Sequence, residues 1–220
     1  NLGLNRGWEL PGRSFLKGKS IRGKGLRVVI VDDANQLNTV KSLANSLVQQ
    51  SEILGVVGPY FSEVGAEVID IFNRNKLVLL SPSNKAKILT KPEPDYYFRA
   101  VTQTQVEAEK IADYLLEKGK KKIVIYYNPQ NLSTHSFRLN FKEYFIERGG
   151  QILEEVSIAQ SLSNFNAEAT IPKIDNPEEL ALVEAPTSSP VNDSIANAIA
   201  VLQANRDRHL IVGTWGLYSR

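Results

Sequence analysis

The chain has 220 residues, of which 42% are hydrophobic and 23% charged, and its net charge is +2. That is room for one large or two modest globular domains, and too little positive charge to argue for nucleic acid as a partner. Cysteine is absent, which excludes thiol catalysis, disulfides and thiolate metal sites but leaves the compartment open.

Residues 1–25 read as an irregular lead-in rich in Gly, Arg and Lys. Six apolar runs follow, at 26–31, 53–57, 77–80, 123–127, 180–183 and 210–212. Apolar runs bounded by turn residues predict buried parallel strands. Between them, apolar residues recur at helical spacing: Val40, Leu43, Ala44, Leu47 and Val48; Val64, Val68, Ile69 and Phe72; Val106, Ala108, Ile111, Ala112 and Leu115; Phe137, Phe141, Phe145 and Ile146; Ile195, Ala198, Ile199 and Leu202. The phenylalanine stripe reads as core packing, closed by Gly149-Gly150 as a helix C-cap. Lys118, Lys120, Lys121 and Lys122 read as a solvated turn at a helix end. Strands alternating with helices predict an α/β fold. A loop at 91–95 and a short strand-like run at 96–101 place a boundary between a first lobe, 1–101, and a second, 102–220. No run approaches the roughly 20 apolar residues of a membrane span. The chain opens on Asn1 without a signal peptide and holds no methionine, so it reads as a processed or excised piece.

Several motifs fall short of catalysis. Residues 18–25 nearly spell a phosphate-binding loop, but Gly25 stands where the motif needs Ser or Thr, and a strand follows instead of a helix. Asp32-Asp33 ends the first apolar run like a phosphoacceptor pair, yet no later strand ends in the aspartate such a site requires; hydrogen bonding to the next helix start is the simpler role. His135 and His209 are the only histidines, and neither has a partner at ligand spacing, so no metal site is expected. No Gly-x-Ser-x-Gly elbow activates a serine.

The informative stretches are Gly58-Pro59-Tyr60-Phe61-Ser62 and Leu80-Ser81-Pro82-Ser83. In an open parallel sheet, ligands meet the carboxyl ends of strands. Ser62, Ser81 and Ser83 are therefore expected at one rim, as a clamp for a small molecule. Ser62 suits a helix cap and, with the helix N–H groups, an anion contact. Tyr60 reads either as core or as a wall of the cleft.

Ordered blocks carry a resemblance. They are Ile21-Arg22-Gly23-Lys24, Gly55-Val56-Val57-Gly58-Pro59, Leu80-Ser81-Pro82-Ser83, Tyr97-Phe98-Arg99, 122–128, Gly149-Gly150, Asn164-Phe165-Asn166 and Gly213-Thr214-Trp215-Gly216-Leu217-Tyr218-Ser219. Over residues 21–220 the chain resembles the type 1 periplasmic binding proteins, in the branch of transporter substrate-binding proteins for branched-chain amino acids or amides; cyanobacterial members look most similar. The resemblance implies two lobes of helix-flanked parallel sheets, here incomplete at both ends. They close on a solute outside the cytoplasm and pass it to a membrane permease, or act as a signalling module. It implies no catalysis, no cofactor, no nucleic acid and no insertion of this chain into the membrane. It places Ser62 on a ligand carboxylate and Ser81, Ser83 and Lys85 on the facing loop. Ser133 falls where a tyrosine often covers the ligand, and Pro186, Thr187 and Ser188 follow the next strand.

Two departures bear on the solute. Trp215 stands where the family often has an acidic residue, and Lys85 where a hydroxyl is usual. Trp215 reads as a stacking wall or as packing between lobes. A buried ammonium without a counter-ion is costly, so the expected solute is anionic, aromatic or amide-like. Three rival readings are a sensor domain, a nucleotide-dependent α/β enzyme, and a structural module with an empty cleft.

Overall fold

The computed structural model describes residues 20–21, 23–25, 27–34, 36–90, 96–187 and 193–214. Trp215, Ser188 and most of the lead-in lie outside them. Within the lead-in, β1 (Ser20–Ile21) and β2 (Lys24–Gly25) pair antiparallel around Gly23, so the glycine loop makes a tight hairpin and opens no helix.

The first sheet has the order β3-β4-β5, all parallel: Gly55–Val57, Val78–Ser81 and Tyr97–Arg99. Helices α1 (Leu37–Leu47) and α2 (Ser62–Arg74) carry apolar stripes. Their Val40, Ala44, Val64, Val68, Ile69 and Phe72 bury against Leu79 of β4. The run at 26–31 departs from expectation. Residues 27–33 form no strand, and Val28, Val29 and Ile30 are exposed. No described strand pairs with them, and strand geometry holds only when a neighbour pairs its N–H and C=O groups. Asp32 caps a local turn there, its carboxylate accepting from the Ala34 N–H at 2.8 Å.

The chain leaves the first sheet at Arg99 and enters α3 (Thr104–Glu117). Ala108, Ala112 and Leu115 of α3 pack on Phe137, Phe141 and Phe145 of α4 (Leu132–Glu147). The expected phenylalanine stripe is thus core, its rings stacked at centroid distances of 5.9 and 5.2 Å. Gly149 adopts a φ of 83° and its N–H bonds to the Ile146 carbonyl, ending the helix as its position foretold.

The second sheet has the order β7-β6-β8-β9, again parallel. Its strands are β6 (Lys122–Tyr127), β7 (Gln151–Ser157), β8 (Leu180–Ala185) and β9 (Leu210–Gly213). Strand β7 is missing from the sequence reading. It is an edge strand with mixed burial, and its register shifts beside Ile123 and Val124, so the period-2 signal is broken. Alternate residues of β6 and β8 face opposite layers. Ile123, Ile125, Ala181 and Val183 meet α3 and α4. Val124, Tyr126, Leu180 and Leu182 meet α5 (Ser194–Asn205) through Ala198 and Val201.

Candidate functional site

The helix after β6 and the helix after β8 lie on opposite faces of the second sheet. Their connecting loops therefore part at the carboxyl ends of these two central strands, where α/β sheets present ligand crevices. The loops after β3 and β4 of the first sheet face this place. Between them lies a small cleft, open on one side and lined from both lobes.

Tyr60, Ser62, Ser83 and Lys85 line it from the first lobe; Ser133 and Thr187 line it from the second. Six of the residues read from sequence thus come together. Ser62 opens α2 and is nearly buried, and its Oγ lies 2.8 Å from Ser133 Oγ at the start of α4. The two lobes touch at this hydroxyl pair. Ser83 Oγ donates to the Tyr60 carbonyl at 2.6 Å, tying the two first-lobe loops together. Asn84 Nδ2 reinforces the tie, donating to the carbonyls of Pro59 and Tyr60 at 3.0 and 2.8 Å. Gly65 makes this possible: a Cβ there would come within 2.4 Å of Asn84 Oδ1. Tyr60 is 52% exposed and meets Phe61 edge-on at 5.0 Å, which puts it on the wall of the cleft and not in the core. Thr187 is held by its N–H, which donates to Ser194 Oγ at 3.3 Å.

Ser81 corrects the reading. It is fully buried, and its Oγ accepts from the N–H groups of Asn84 at 2.9 Å and Ser83 at 3.3 Å. At the end of a strand its side chain points into the loop it shapes, so it supports Ser83 and does not face the cleft. Trp215 lies outside the described residues. Arg99 braces the loop after β4, donating to the carbonyls of Asn84 and Ala86 at 3.4 and 3.3 Å.

Lys85 changes meaning in the structure. Its Nζ lies 3.0 Å from Oε2 of Glu107, and both side chains are mostly shielded. Glu107 lies in the first turn of α3 and also lines the cleft. The surplus positive charge that argued for an anionic solute is thereby compensated. Sequence reasoning missed Glu107 because Thr104-x-x-Glu107 has the form of a capping box, which gives the carboxylate a local use. Asn131 and Thr134 were also missed. Asn131 caps α4, accepting from the Thr134 N–H at 3.0 Å, and that role is legible only once the helix start is known.

Glu184 on β8 is fully buried, and among the described residues neither carboxylate oxygen has a hydrogen-bond partner. Burial raises its pKa to about 8. It stands in register with Tyr126, whose phenol burial also pushes up. Among the described residues no cluster of His, Cys, Asp or Glu could hold a metal ion, and no helix is long and apolar enough to cross a membrane.

The family model described as "Periplasmic binding protein" matches residues 7–186. The chain belongs to that family. A relative of this periplasmic binding protein is the Leu/Ile/Val-binding protein homolog 3 of Brucella melitensis. It is 29% identical over 121 residues, which is 55% of this chain and 33% of the relative. Among solved structures, the ABC transporter substrate-binding protein of Desulfitobacterium hafniense in complex with Leu matches with a TM-score of 0.75 at 20% identity, over 91% of this chain and 58% of that one. The branched-chain amino acid transporter substrate-binding protein LivJ of Streptococcus pneumoniae, in complex with isoleucine, matches at 0.73 and 25% identity over 93% and 56%. A solute-binding protein of an R. palustris ABC transporter, in complex with benzoate, matches at 0.73 and 19% identity over 94% and 55%. The chain thus spans 58% or less of the length of these relatives. The α/β architecture with helix-flanked parallel sheets is the one these neighbours share.

Proposed function

We propose that this chain is the solute-capturing part of an extracytoplasmic binding protein that delivers a small polar molecule to an ABC-type membrane permease, without catalysing a reaction. The observation that carries the reading is the hydroxyl-lined cleft between two sheets, shut at one point by the Ser62–Ser133 contact across the lobes. Such a cleft captures a solute by hinge closure, because the solute favours the closed arrangement by its extra affinity for it. Ser62 and the N-terminal N–H groups of α2 suit a carboxylate or amide oxygen. Ser83, Ser133 and Thr187 offer neutral donors and acceptors, and Tyr60 an aromatic wall. Lys85 and Glu107 together add one positive and one negative charge, so the described lining is electroneutral overall. That favours a neutral or zwitterionic polar solute over a simple anion. The relatives that bind leucine, isoleucine and benzoate support the size of such a solute.

The test is calorimetry on the intact protein with leucine, isoleucine, aliphatic amides and benzoate. A true solute at 100 times its Kd stabilises by about 2.7 kcal/mol through mass action, and Ser62→Ala weakens its binding. No heat of binding and no rise in melting temperature with any of these classes would remove the proposal.

A further inference from the structure

Leu132 belongs to the second lobe by its helix and to the first by its contacts. It is the first residue of α4, yet its side chain packs against the first-lobe core cluster that holds Val64, Val68 and Leu79. Its backbone N–H is one of those a helix start leaves without an intrahelical partner. That N–H donates across the lobes to Oε1 of Glu63 on α2. The neighbouring Ser133 meets Ser62, and Ser136 Oγ, one turn on, accepts from the Lys87 N–H at 3.4 Å.

Helices α2 and α4 therefore meet first turn to first turn. Both helix N-termini carry partial positive charge, and two such ends brought together repel. Glu63 lies in the first turn of α2 and bonds to the first N–H of α4. Its carboxylate offsets both ends at once. Asn131 caps α4 from within its own lobe by taking the Thr134 N–H, so the Leu132 N–H is left for the other lobe.

We propose that Leu132 and Glu63 form a clasp between the lobes that sets how firmly the second closes on the first. Leu132 is the apolar plug. Glu63 supplies direction, because without its carboxylate the plug would seat an unpaired N–H against a like-charged helix end. Neither residue lines the cleft, so the clasp acts on solute retention without touching solute. A solute's apparent affinity scales with the population of the arrangement competent to hold it. The effect on solute rests on the capture function proposed above; the effect on lobe separation does not.

The experiment uses the intact protein. This sequence has no cysteine, so Ala66→Cys on α2 and Glu147→Cys on α4 introduce its only thiols for a fluorophore pair spanning the lobes. Energy transfer is read for the parent, Leu132→Ala, Glu63→Ala and the near-isosteric Glu63→Gln. The expected result is a larger mean separation in all three, greatest for Leu132→Ala and smallest for Glu63→Gln. With leucine, isoleucine and benzoate as probes, dissociation of whichever binds the parent becomes roughly tenfold faster in Leu132→Ala, with association little changed. Parent-like separation in both Leu132→Ala and Glu63→Gln would overturn the clasp; Glu63→Gln alters no volume, so it reports even where a truncation unfolds. Increased separation with none of these probes, nor an aliphatic amide, bound to the parent would uphold the clasp and overturn the capture function instead.

Discussion

Strands β3 and β4 of the first sheet and β6 and β8 of the second are written in nearly the same apolar residues, yet their surroundings differ. Every residue of β8 is buried, and β6 is buried over its four central residues, because helices cover the second sheet on both faces. Among the described residues, the first sheet has α1 and α2 on one face only. On the other, Val57 is 74% and Phe98 54% exposed, with Val78 and Leu80 beside them. An apolar run fixes that a strand is fit for burial on both sides; it does not fix that the described residues cover both. As described, the second lobe is a three-layer unit and the first a two-layer one.

The contrast can be broken most strongly from within the second lobe. Phe141 is fully buried between two stacked rings, so Phe141→Ala costs about 3–5 kcal/mol, measured by denaturant unfolding followed at the second lobe. Glu184 comes next. Its carboxyl keeps its proton in the folded state to about pH 8, whereas its ordinary pKa is 4.5. The unfolded chain releases that proton first, so stability falls as pH rises from about 4.5 to about 8 and then levels. Glu184→Gln removes this slope and gains up to about 3 kcal/mol at pH 7; pH-dependent unfolding of both proteins checks it, and parallel slopes would refute it.

At the boundary between the regions, Glu107→Gln leaves Lys85 without its carboxylate. A loss of about 1 kcal/mol in stability is expected for this mostly shielded pair. More tellingly, calorimetry should show benzoate gaining several-fold over leucine, since the cleft lining would then be net positive. The smallest effect belongs to the first sheet. Val57→Ser in the 220-residue chain shifts stability by no more than about 0.5 kcal/mol, while the same change at the buried Val183 costs several times that. Equal costs at the two valines would show that both sheets are covered alike.

Much of the molecule was legible because its signals are local. Helical periodicity gave α1 to α5, apolar runs gave the central strands, strand ends followed by hydroxyl residues gave Tyr60, Ser62 and Ser83, and the family resemblance gave Ser133 and Thr187. Tertiary structure decided the rest, since it depends on which distant groups meet. Ser81 and Ser83 lie two residues apart and look equivalent in sequence; the turn of the chain sends one inward to hold the loop and the other to the cleft. Lys85 looks like a free charge until α3 brings Glu107 to within 3.0 Å. Leu132 reads as the start of one helix and becomes part of another lobe's core. The run at 26–31 has every residue a strand needs and no described neighbour to pair with. Backbone periodicity is set by nearest neighbours along the chain; charge compensation, burial and strand pairing are set by neighbours in space.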